Sequence, residues 1–351
     1  MASKPQPAKL PDQIHSEEEL DEVLSRPSTA LIASVRQLRS PLLVLGASGK
    51  MGPSLCVLAR RAAQAAGNGL TVTAVSRFSA PRGRDWLEAR GVRTLAADLL
   101  ERRSFEDLPE AANIVYLIGL KFGTQQNPSL TWAVNTLVPS LVAERYPKAR
   151  IVALSTGNVY PFAPAKSQGA TEQDAPAPVG EYAGAALARE RVFEYHSRKL
   201  GIPIVLLRLN YAADLRYGVL VDIAEKVWKN EPIDLSAGYL NCIWQGDAND
   251  MILRAFDLAS TPPAIFNLTG PSALSVRKLA SRFGELMGRP VNTIGKEEAT
   301  ALLSNSARLC AKLGQPSTPL DRVIEWTANW VAHGGATLGK PTHFDSRSGQ
   351  Y

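Results

Sequence analysis

The sequence has few of the features that define membrane, secreted or disulfide-stabilised proteins. No apolar run approaches the ~20 residues of a membrane-spanning helix, and the polar start of the chain lacks the apolar core of a secretory signal. The three cysteines, Cys56, Cys242 and Cys310, lie far apart without metal-ligand spacing, and the four histidines are dispersed. An odd, scattered set of cysteines fits a reducing compartment. We therefore expect a cytoplasmic protein with no membrane partner and no metal site.

Long runs of one charge are missing as well. The formal net charge of +6 is distributed along the chain in short pairs such as Arg60-Arg61. A basic stripe is the usual sign of a nucleic-acid partner, so the sequence predicts a solvated surface and no nucleic-acid binding. With 351 residues, 45% of them apolar, the chain is long enough for one large domain or two closely associated domains.

Residues 42–55, LLVLGASGKMGPSL, are the most informative stretch that is present. An apolar run short enough for a strand buried on both faces leads into three regularly spaced glycines and then into a helical segment. Gly46 allows the tight turn, Gly49 lets the backbone approach a pyrophosphate, and Gly52 lets the helix pack close to the strand. The N–H groups at the helix start would face the negative charge. This pattern predicts a dinucleotide site, with a ligand-free glycine turn as the alternative. A P-loop is excluded because Met51 stands where that motif needs Ser or Thr.

Short apolar segments alternate with helical ones up to about residue 210. We predict strands at 42–45, 70–75, 92–97, 113–119, 150–154 and 202–209, with long helices at 128–145 and 182–199. This alternation predicts an α/β fold with a doubly wound, Rossmann-type parallel sheet. Beyond residue 210 it ends, and helices at 219–229, 247–258 and 275–287 with a strand at 265–268 are expected to build a smaller C-terminal lobe over the ligand edge of the sheet.

The end of the second strand bears on the choice of coenzyme. Dinucleotide sites that prefer NAD carry an acid about 20 residues after the glycines, which binds the ribose 2′-hydroxyl. This sequence has Ser76 and Arg77 there instead. A hydroxyl and a guanidinium could bind and neutralise a 2′-phosphate, so the sequence favours NADP over NAD. A merely solvated Arg77 is the alternative.

The ordered series of motifs resembles the extended short-chain dehydrogenase/reductases, the superfamily of NAD(P)-dependent epimerases and dehydratases. The resemblance covers about residues 42–330 and is more specific as a series than in any one piece. In chain order the matching pieces are Gly46-x-x-Gly49-x-x-Gly52, Asp98-Leu99, Asn135, Ser155-Thr156 with Val159-Tyr160, Pro178-Val179-Gly180-Glu181-Tyr182 with Glu190, and Phe266-Asn267-Leu268-Thr269-Gly270.

The resemblance implies catalysis by a Tyr together with a Ser or Thr that acts on a substrate carbonyl or hydroxyl. Tyr182 matches the acid/base, and the hydroxyl position falls on Thr156, with Ser155 beside it. The Lys that the family carries four residues after the Tyr is replaced by Ala186. Because a free Tyr has a pKa near ~10, this loss removes the charge that lowers it. We consider Lys121, just past the fourth strand, as the substitute, with a solvated loop lysine as the alternative.

The same resemblance implies where the coenzyme is held. The expected contacts lie in the glycine turn, at the ends of the following strands, in the fourth helix and at the acid/base. They are Gly46, Ser48, Gly49, Lys50, Met51, Gly52, Ser76, Arg77, Asp98, Leu99, Gly119, Asn135 and Tyr182.

The sequence is compatible with two functions, and the replacement of the family's Lys by Ala186 is the feature that distinguishes them. The first, which we favour, is an NAD(P)-dependent oxidoreductase, epimerase or dehydratase that acts on a sugar-like hydroxyl or carbonyl, in a sugar or a nucleotide sugar. The second is a non-catalytic NADP-binding sensor or partner-binding protein that has lost the Tyr–Lys proton relay. Family members often pair the helices at 128–145 and 182–199 with those of a second copy, so a homodimer is expected.

Four parts of the chain are distinguished on these grounds. Residues 1–40 form an N-terminal helical extension, in which Ser16-Glu17-Glu18-Glu19 is typical of a capping box and predicts a helix through Leu24. Residues 41–210, joined again by 240–270, form the NAD(P)-binding Rossmann domain. Residues 211–333 form mainly the substrate-binding lobe, and 334–351 form a polar C-terminal tail.

Overall fold

The structure is a computed structural model that describes residues 10–349. Within that range the chain forms eleven α-helices: α1 (Glu17–Leu24), α2 (Thr29–Arg36), α3 (Gly52–Ala66), α4 (Pro81–Glu88), α5 (Pro128–Arg145), α6 (Gly180–Leu200), α7 (Val219–Trp228), α8 (Gln245–Arg254), α9 (Val276–Met287), α10 (Ala307–Leu313) and α11 (Leu320–Ala332). None of these helices is both long enough and apolar enough to cross a bilayer.

The strands are of two kinds, long ones in one central sheet and two-residue ones that pair in the smaller lobe and its approaches. In chain order they are β1 (Leu42–Leu45), β2 (Val72–Ser76), β3 (Arg93–Ala96), β4 (Asn113–Tyr116), β5 (Arg150–Thr156), β6 (Ala163–Pro164), β7 (Ile204–Leu209), β8 (Ala212–Ala213), β9 (Ile233–Asp234), β10 (Tyr239–Leu240), β11 (Ile243–Trp244), β12 (Ala264–Leu268), β13 (Leu274–Ser275), β14 (Thr293–Ile294) and β15 (Thr300–Ala301).

The central sheet has seven strands in the order β12-β7-β5-β4-β1-β2-β3, and every pair in it is parallel. The chain winds outward from β1 through β2 to β3, and then returns to β4 and winds the other way. The predicted doubly wound, Rossmann-type sheet is confirmed. Its direction reverses between β1 and β4, and in such sheets ligands bind at that switch point, outside the carboxyl ends of the strands.

The apolar run of β1 is explained by burial on both of its faces. Leu42 and Val44 enter one core cluster, with α2, α3 and α8, whereas Leu43 and Leu45 enter the other, with α5 and α6. Side chains alternate across a strand, so a strand covered by helices on both sides must be apolar at every position. This is why the segment shows no polar alternation.

A third core cluster builds the smaller lobe around Trp326, which is fully buried. Helices α7, α9 and α11 pack against one another there, and Leu20 and Leu24 of α1 join the same cluster. The predicted helix α1 is confirmed, and the Ser16 hydroxyl accepts the Glu19 N–H at 3.1 Å. Residues 1–9 of the predicted extension lie outside the described residues.

Several elements depart from the sequence-based prediction. Helices α4, α10 and α11 were not predicted, and β4 ends at Tyr116 instead of residue 119. Beyond Tyr116 the chain turns toward the ligand edge, where Lys121 reaches residues of the C-terminal segment. The Leu117 N–H still donates to the Leu45 carbonyl oxygen of β1 at 2.9 Å, and Leu117 and Ile118 are apolar because they pack against the two core clusters of the sheet.

Candidate coenzyme and substrate site

The glycine turn after β1 has the close packing that a pyrophosphate cradle requires. Gly46 has φ +85°, a conformation that side chains disfavour. A Cβ atom at Gly52 would lie 2.3 Å from the Ala47 carbonyl oxygen, so only glycine lets α3 begin this close to the strand. The turn therefore presents the N-terminus of a 15-residue helix to the switch point, where it favours an anion. The residues present fit a dinucleotide at this position.

Ser48 and Ser76 join the turn to the end of β2. Their hydroxyl oxygens lie 2.5 Å apart, and Arg77 beside them is exposed. At the end of β3, Asp98 is exposed and its carboxylate accepts the Leu100 N–H at 3.1 Å, while Leu99 is buried. The Ser48–Ser76 contact places the end of β2 beside the glycine turn, and no carboxylate stands at position 76.

A cavity of about 160 Å³ lies next to the turn, at the carboxyl ends of β5 and β7. Six of the residues singled out in the sequence contribute to its wall: Lys50, Met51, Lys121, Ser155, Thr156 and Tyr182. The structure thus brings the proposed acid/base, both hydroxyl residues and two lysines to one place. Gly119 and Asn135 are not in this wall.

Ser155 is held by a buried polar network. Its hydroxyl donates to the Glu190 carboxylate at 2.5 Å, and Arg208 binds both oxygens of that carboxylate at 3.0 and 2.7 Å. Arg208 also donates to the Tyr160 hydroxyl at 2.7 Å, and Tyr160 in turn donates to Asn267 at 2.9 Å. Every member is buried. Because its proton is directed at Glu190, Ser155 is a positioning residue, and Thr156 remains the hydroxyl that faces the cavity.

Sequence reasoning missed Arg208 and Tyr160 as members of the site. The available signal was the charge of Arg208 inside the apolar run of β7, since a buried strand carries an arginine only when a partner neutralises it.

Position 186 lies in apolar surroundings. Ala186 is fully buried in a small cluster with Val159, Tyr160 and Ala170. Tyr182, one turn earlier at the start of α6, is half-buried and reaches the cavity. Over the described part of the chain, the place of the family's lysine is therefore filled by packing, and the Tyr160 hydroxyl is the one polar side-chain group of that cluster.

Two other cations reach the same cavity. Lys50 donates from Nζ to the Ala212 carbonyl oxygen at 2.5 Å, and Lys121 donates to the Thr342 carbonyl oxygen at 3.0 Å. Burial lowers the pKa of each ammonium group to about 8, although Asp214 opposes this shift at Lys50 and Asp222 opposes it at Lys121. Both lysines therefore stay mostly protonated at neutral pH and lose their charge as the pH rises through about 8.

Asn135 and Gly119 are engaged with Arg189 instead of lining the cavity. The Asn135 side chain donates to the Thr131 carbonyl oxygen at 2.8 Å and accepts from Arg189 at 2.8 Å. Arg189 also donates to the Ile118 carbonyl oxygen at 2.8 Å, and a Cβ at Gly119 would lie 2.6 Å from its guanidinium. This arrangement fixes the end of β4 and directs the Asn135 side chain to protein partners.

The C-terminal lobe supplies residues that the sequence did not single out. Tyr217 and Thr342 line the cavity together with Tyr182. Burial, with smaller contributions from Asp222 and Tyr182, raises the pKa of Tyr217 to about 12, so this phenol stays neutral. Thr342 lies about 160 residues from Tyr182 along the chain, and no local motif points to it.

A parallel doubly wound sheet, a glycine turn at its switch point and a Tyr facing two hydroxyl residues across one cavity define a dinucleotide-binding fold of the reductase type. Residues 42–212 match the model of the NAD dependent epimerase/dehydratase family. The resemblance inferred from the motifs is confirmed. The family is one of NAD-dependent enzymes, which agrees with the enzyme class that the sequence favoured.

Solved structures with this fold include three nucleotide-sugar proteins. MoeE5 in complex with UDP-glucuronic acid and NAD is 20% identical, with TM-score 0.68 over 84% of this chain and 100% of that chain. The Thermus thermophilus UDP-glucose 4-epimerase complex with NAD is 19% identical, with TM-score 0.67 over 83% and 99%. The Bacillus cereus UDP-glucuronic acid 4-epimerase in complex with UDP-glucuronic acid and NAD is 15% identical, with TM-score 0.67 over 84% and 99%. At these identities the likeness shows the fold. No curated protein sequence matches the chain significantly.

Proposed function

We propose that this protein is an NAD(P)-dependent oxidoreductase, epimerase or dehydratase that acts on a hydroxyl or carbonyl of a sugar-like substrate. The observation that carries the proposal is the single cavity beside the glycine turn, whose wall includes Tyr182, Thr156 and Lys121. A nicotinamide bound at this turn would accept or return the hydride, which is chemistry that no side chain supplies.

The roles of the side chains follow from their surroundings. The Thr156 oxygen accepts the Asn158 N–H at 3.2 Å, so its own proton can be directed to a substrate oxygen. Tyr182 would exchange the substrate's hydroxyl proton as general acid/base. Lys121 would supply the positive charge that Ala186 cannot, because it lines the same cavity as Tyr182.

The proposed coenzyme preference is for NADP over NAD. Ser76 and Arg77 stand next to the glycine turn, and Ser48 holds the Ser76 hydroxyl within hydrogen-bond distance. The exposed Arg77 guanidinium is free to swing toward a 2′-phosphate without losing a buried contact. The structural neighbours named above are described as complexes with NAD, so this preference is the finer part of the proposal.

The proposed substrate is a sugar or a nucleotide sugar, which agrees with neighbours solved with UDP-glucuronic acid. We also propose that the protein works in the cytoplasm as a homodimer. The support for the dimer is the set of exposed apolar side chains on α5 and α6, Trp132, Leu137, Tyr195 and Leu200.

A second candidate function is favoured by one observation, the complete burial of Ala186 in an apolar cluster. A protein that has lost the Tyr–Lys relay could still bind the coenzyme and act as a sensor. Titration with NADPH and NADH, followed by a screen of free sugars and UDP-sugars for coenzyme oxidation or reduction, separates the two. Binding without any turnover would favour the sensor, and turnover would favour the enzyme.

A further inference from the structure

The C-terminal segment, residues 334–349, contributes Thr342 to the wall of the cavity and is held by hydrogen bonds and packing along its length. At its start the Leu338 N–H donates to the Arg216 carbonyl oxygen at 2.8 Å. Farther on, Phe344 is buried in the core of the smaller lobe. Arg347 donates to the carbonyl and hydroxyl oxygens of Thr300 at 2.8 and 2.7 Å.

Thr342 is the central anchor of this segment. Its N–H and its hydroxyl both donate to the Asp222 carboxylate, at 2.8 and 2.5 Å. Its carbonyl oxygen accepts from Lys121, which extends from the loop after β4. All three hydrogen bonds involve a charged partner, Asp222 or Lys121, and such bonds are stronger than those between neutral groups. The segment therefore joins α7 of the lobe to the loop beyond the sheet, and Thr342 and Tyr182 lie in the wall of the same cavity.

The end of the segment presses against the start of α6. A Cβ at Gly349 would lie 2.2 Å from the Val179 carbonyl oxygen, and one at Gly180 would lie 2.5 Å from the Gly349 carbonyl oxygen. Two glycines thus allow a backbone contact that side chains would prevent. Tyr182 follows two residues after Gly180, so the segment closes the cleft on the side of the proposed acid/base.

The cavities that the segment lines together with the residues of the site are small. The cavity beside Tyr182 has about 160 Å³. A second one, lined by Tyr160, Tyr211, Tyr239, Phe344 and Arg347, has about 30 Å³. A third, of about 380 Å³, lies between the segment and α7, and its wall includes none of Tyr182, Ser155 and Thr156. Pockets that take drug-sized ligands have ~300–1,000 Å³. The cavity beside Tyr182 lies below this range, so it has room for a small molecule but not for a nucleoside diphosphate joined to a sugar.

We propose that the C-terminal segment is a specificity element that fills the outer part of the substrate cleft and excludes nucleotide sugars. The substrate is then a small free sugar, sugar acid or polyol. This inference rests on the proposed function and narrows its substrate class. It assigns to Asp222, Thr342 and Arg347 the holding of the segment, without a part in the chemistry.

The test compares UDP-glucose binding by calorimetry to the full chain and to two forms with a released segment. One form carries Asp222→Asn and Arg347→Ala, and the other ends after residue 333. Glu225→Gln, one turn from Asp222 on α7 and paired with Lys229, is the matched control. We expect no binding to the full chain or the control at millimolar UDP-glucose, and binding at least tenfold tighter to the released forms.

The double variant keeps the test valid if the truncated chain does not fold. UDP-glucose binding by the full chain at the affinity of the released forms would overturn the inference. The inference would also be overturned if UDP-glucose did not bind to a folded form with a released segment. NADPH binding is measured separately by fluorescence, because its absence from the full chain would contradict the proposed function, whatever UDP-glucose does.

Discussion

The carboxylate of Glu190 and the guanidinium of Arg208 meet at 2.7 Å in the protein interior, where their side chains are 1% and 2% exposed. The pair sits directly behind the end of β5, and the Ser155 hydroxyl is bound to it. A buried ion pair does not by itself imply high stability, because both charges must leave water. The ion pair instead serves to orient the end of β5, which carries Ser155 and Thr156, because the Ser155 hydroxyl is bound to Glu190.

Removing one charge of that pair should be costly. Arg208→Met would leave the Glu190 carboxylate buried without its partner, and we expect the free energy of unfolding to fall by about 3–5 kcal/mol. Urea denaturation monitored by circular dichroism measures the change. Arg198→Met, which breaks the exposed pair with Glu194, is the control and should cost no more than ~1 kcal/mol. Equal losses in the two variants would contradict the importance of the buried pair.

The sheet was predictable from sequence because its signal is local. Four consecutive apolar residues in β1 indicate that this strand is buried on both faces. Helix α5 begins at the predicted Pro128, with Asn127 as its N-cap. The glycine turn was equally accessible, since spacing alone points to it. These features depend on neighbours within a few residues, which a sequence displays directly.

The contacts that complete the cavity were not predictable, because they join distant positions. Ser155 and Glu190 are 35 residues apart, and Lys121 and Thr342 are 221 residues apart. The sequence identifies Lys121 as a lysine, but it does not show that the Lys121 ammonium group donates to the Thr342 carbonyl oxygen. The same limit applies to Ala186, whose apolar surroundings come from residues on three different segments.

Lys50 should make stability depend on pH in a definite direction. Its pKa is lowered to about 8 by burial, while an unfolded lysine keeps a pKa near ~10.4. Between these values the unfolded state binds more protons, so stability rises with pH across this window, and the cost of charging the buried amine is felt in full below pH 8. We therefore expect Lys50→Met to stabilise the protein near pH 7, with the gain shrinking toward pH 10.

Thermal or urea unfolding at several pH values between 7 and 10 tests this dependence. Lys296→Met removes an exposed lysine of the same size and serves as the control. A gain in the Lys50→Met protein that stays constant over the whole range would show that packing, and not charge burial, is responsible.

The coenzyme preference can be examined at Arg77. If this guanidinium binds a 2′-phosphate, Arg77→Ala should weaken NADPH binding by about tenfold, equivalent to ~1.4 kcal/mol, and leave NADH binding unchanged. Fluorescence titration of both coenzymes measures the ratio, and Arg103→Ala, another exposed arginine, is the control. Tighter binding of NADH than NADPH by the unaltered protein would refute the NADP assignment.

The proposed dimer would bury apolar side chains of α5 and α6 that are exposed to solvent in the single chain. Leu137 on α5 and Tyr195 on α6 are 56% and 58% exposed in the single chain. Leu137→Glu places a charge in the proposed interface and should convert a dimer into a monomer. Light scattering over a wide concentration range reports the mass, with Ile294→Glu at an exposed position elsewhere as the control. A monomer at every concentration of the unaltered protein would rule the dimer out.

The chemistry itself is tested at Tyr182. If the protein is an enzyme, Tyr182→Phe removes the hydroxyl that exchanges a proton with the substrate, and turnover should fall by the ~10²–10⁴-fold typical of a general acid/base. Coenzyme affinity should stay nearly the same. Tyr195→Phe, on the outer surface of the same helix, is the matched control and should keep full turnover.

Two lysine changes then ask what replaces the missing family residue. Lys121→Met should reduce turnover if Lys121 supplies the positive charge, and it should move the acid limb of the pH–rate profile, which loss of a structural contact alone would not do. Ala186→Lys, which sequence alone suggests as a way to restore the relay, would force an ammonium group into the apolar cluster around Val159 and Tyr160. We expect it to destabilise the fold instead of rescuing turnover. Undiminished turnover in Tyr182→Phe would show that the acid/base is another residue.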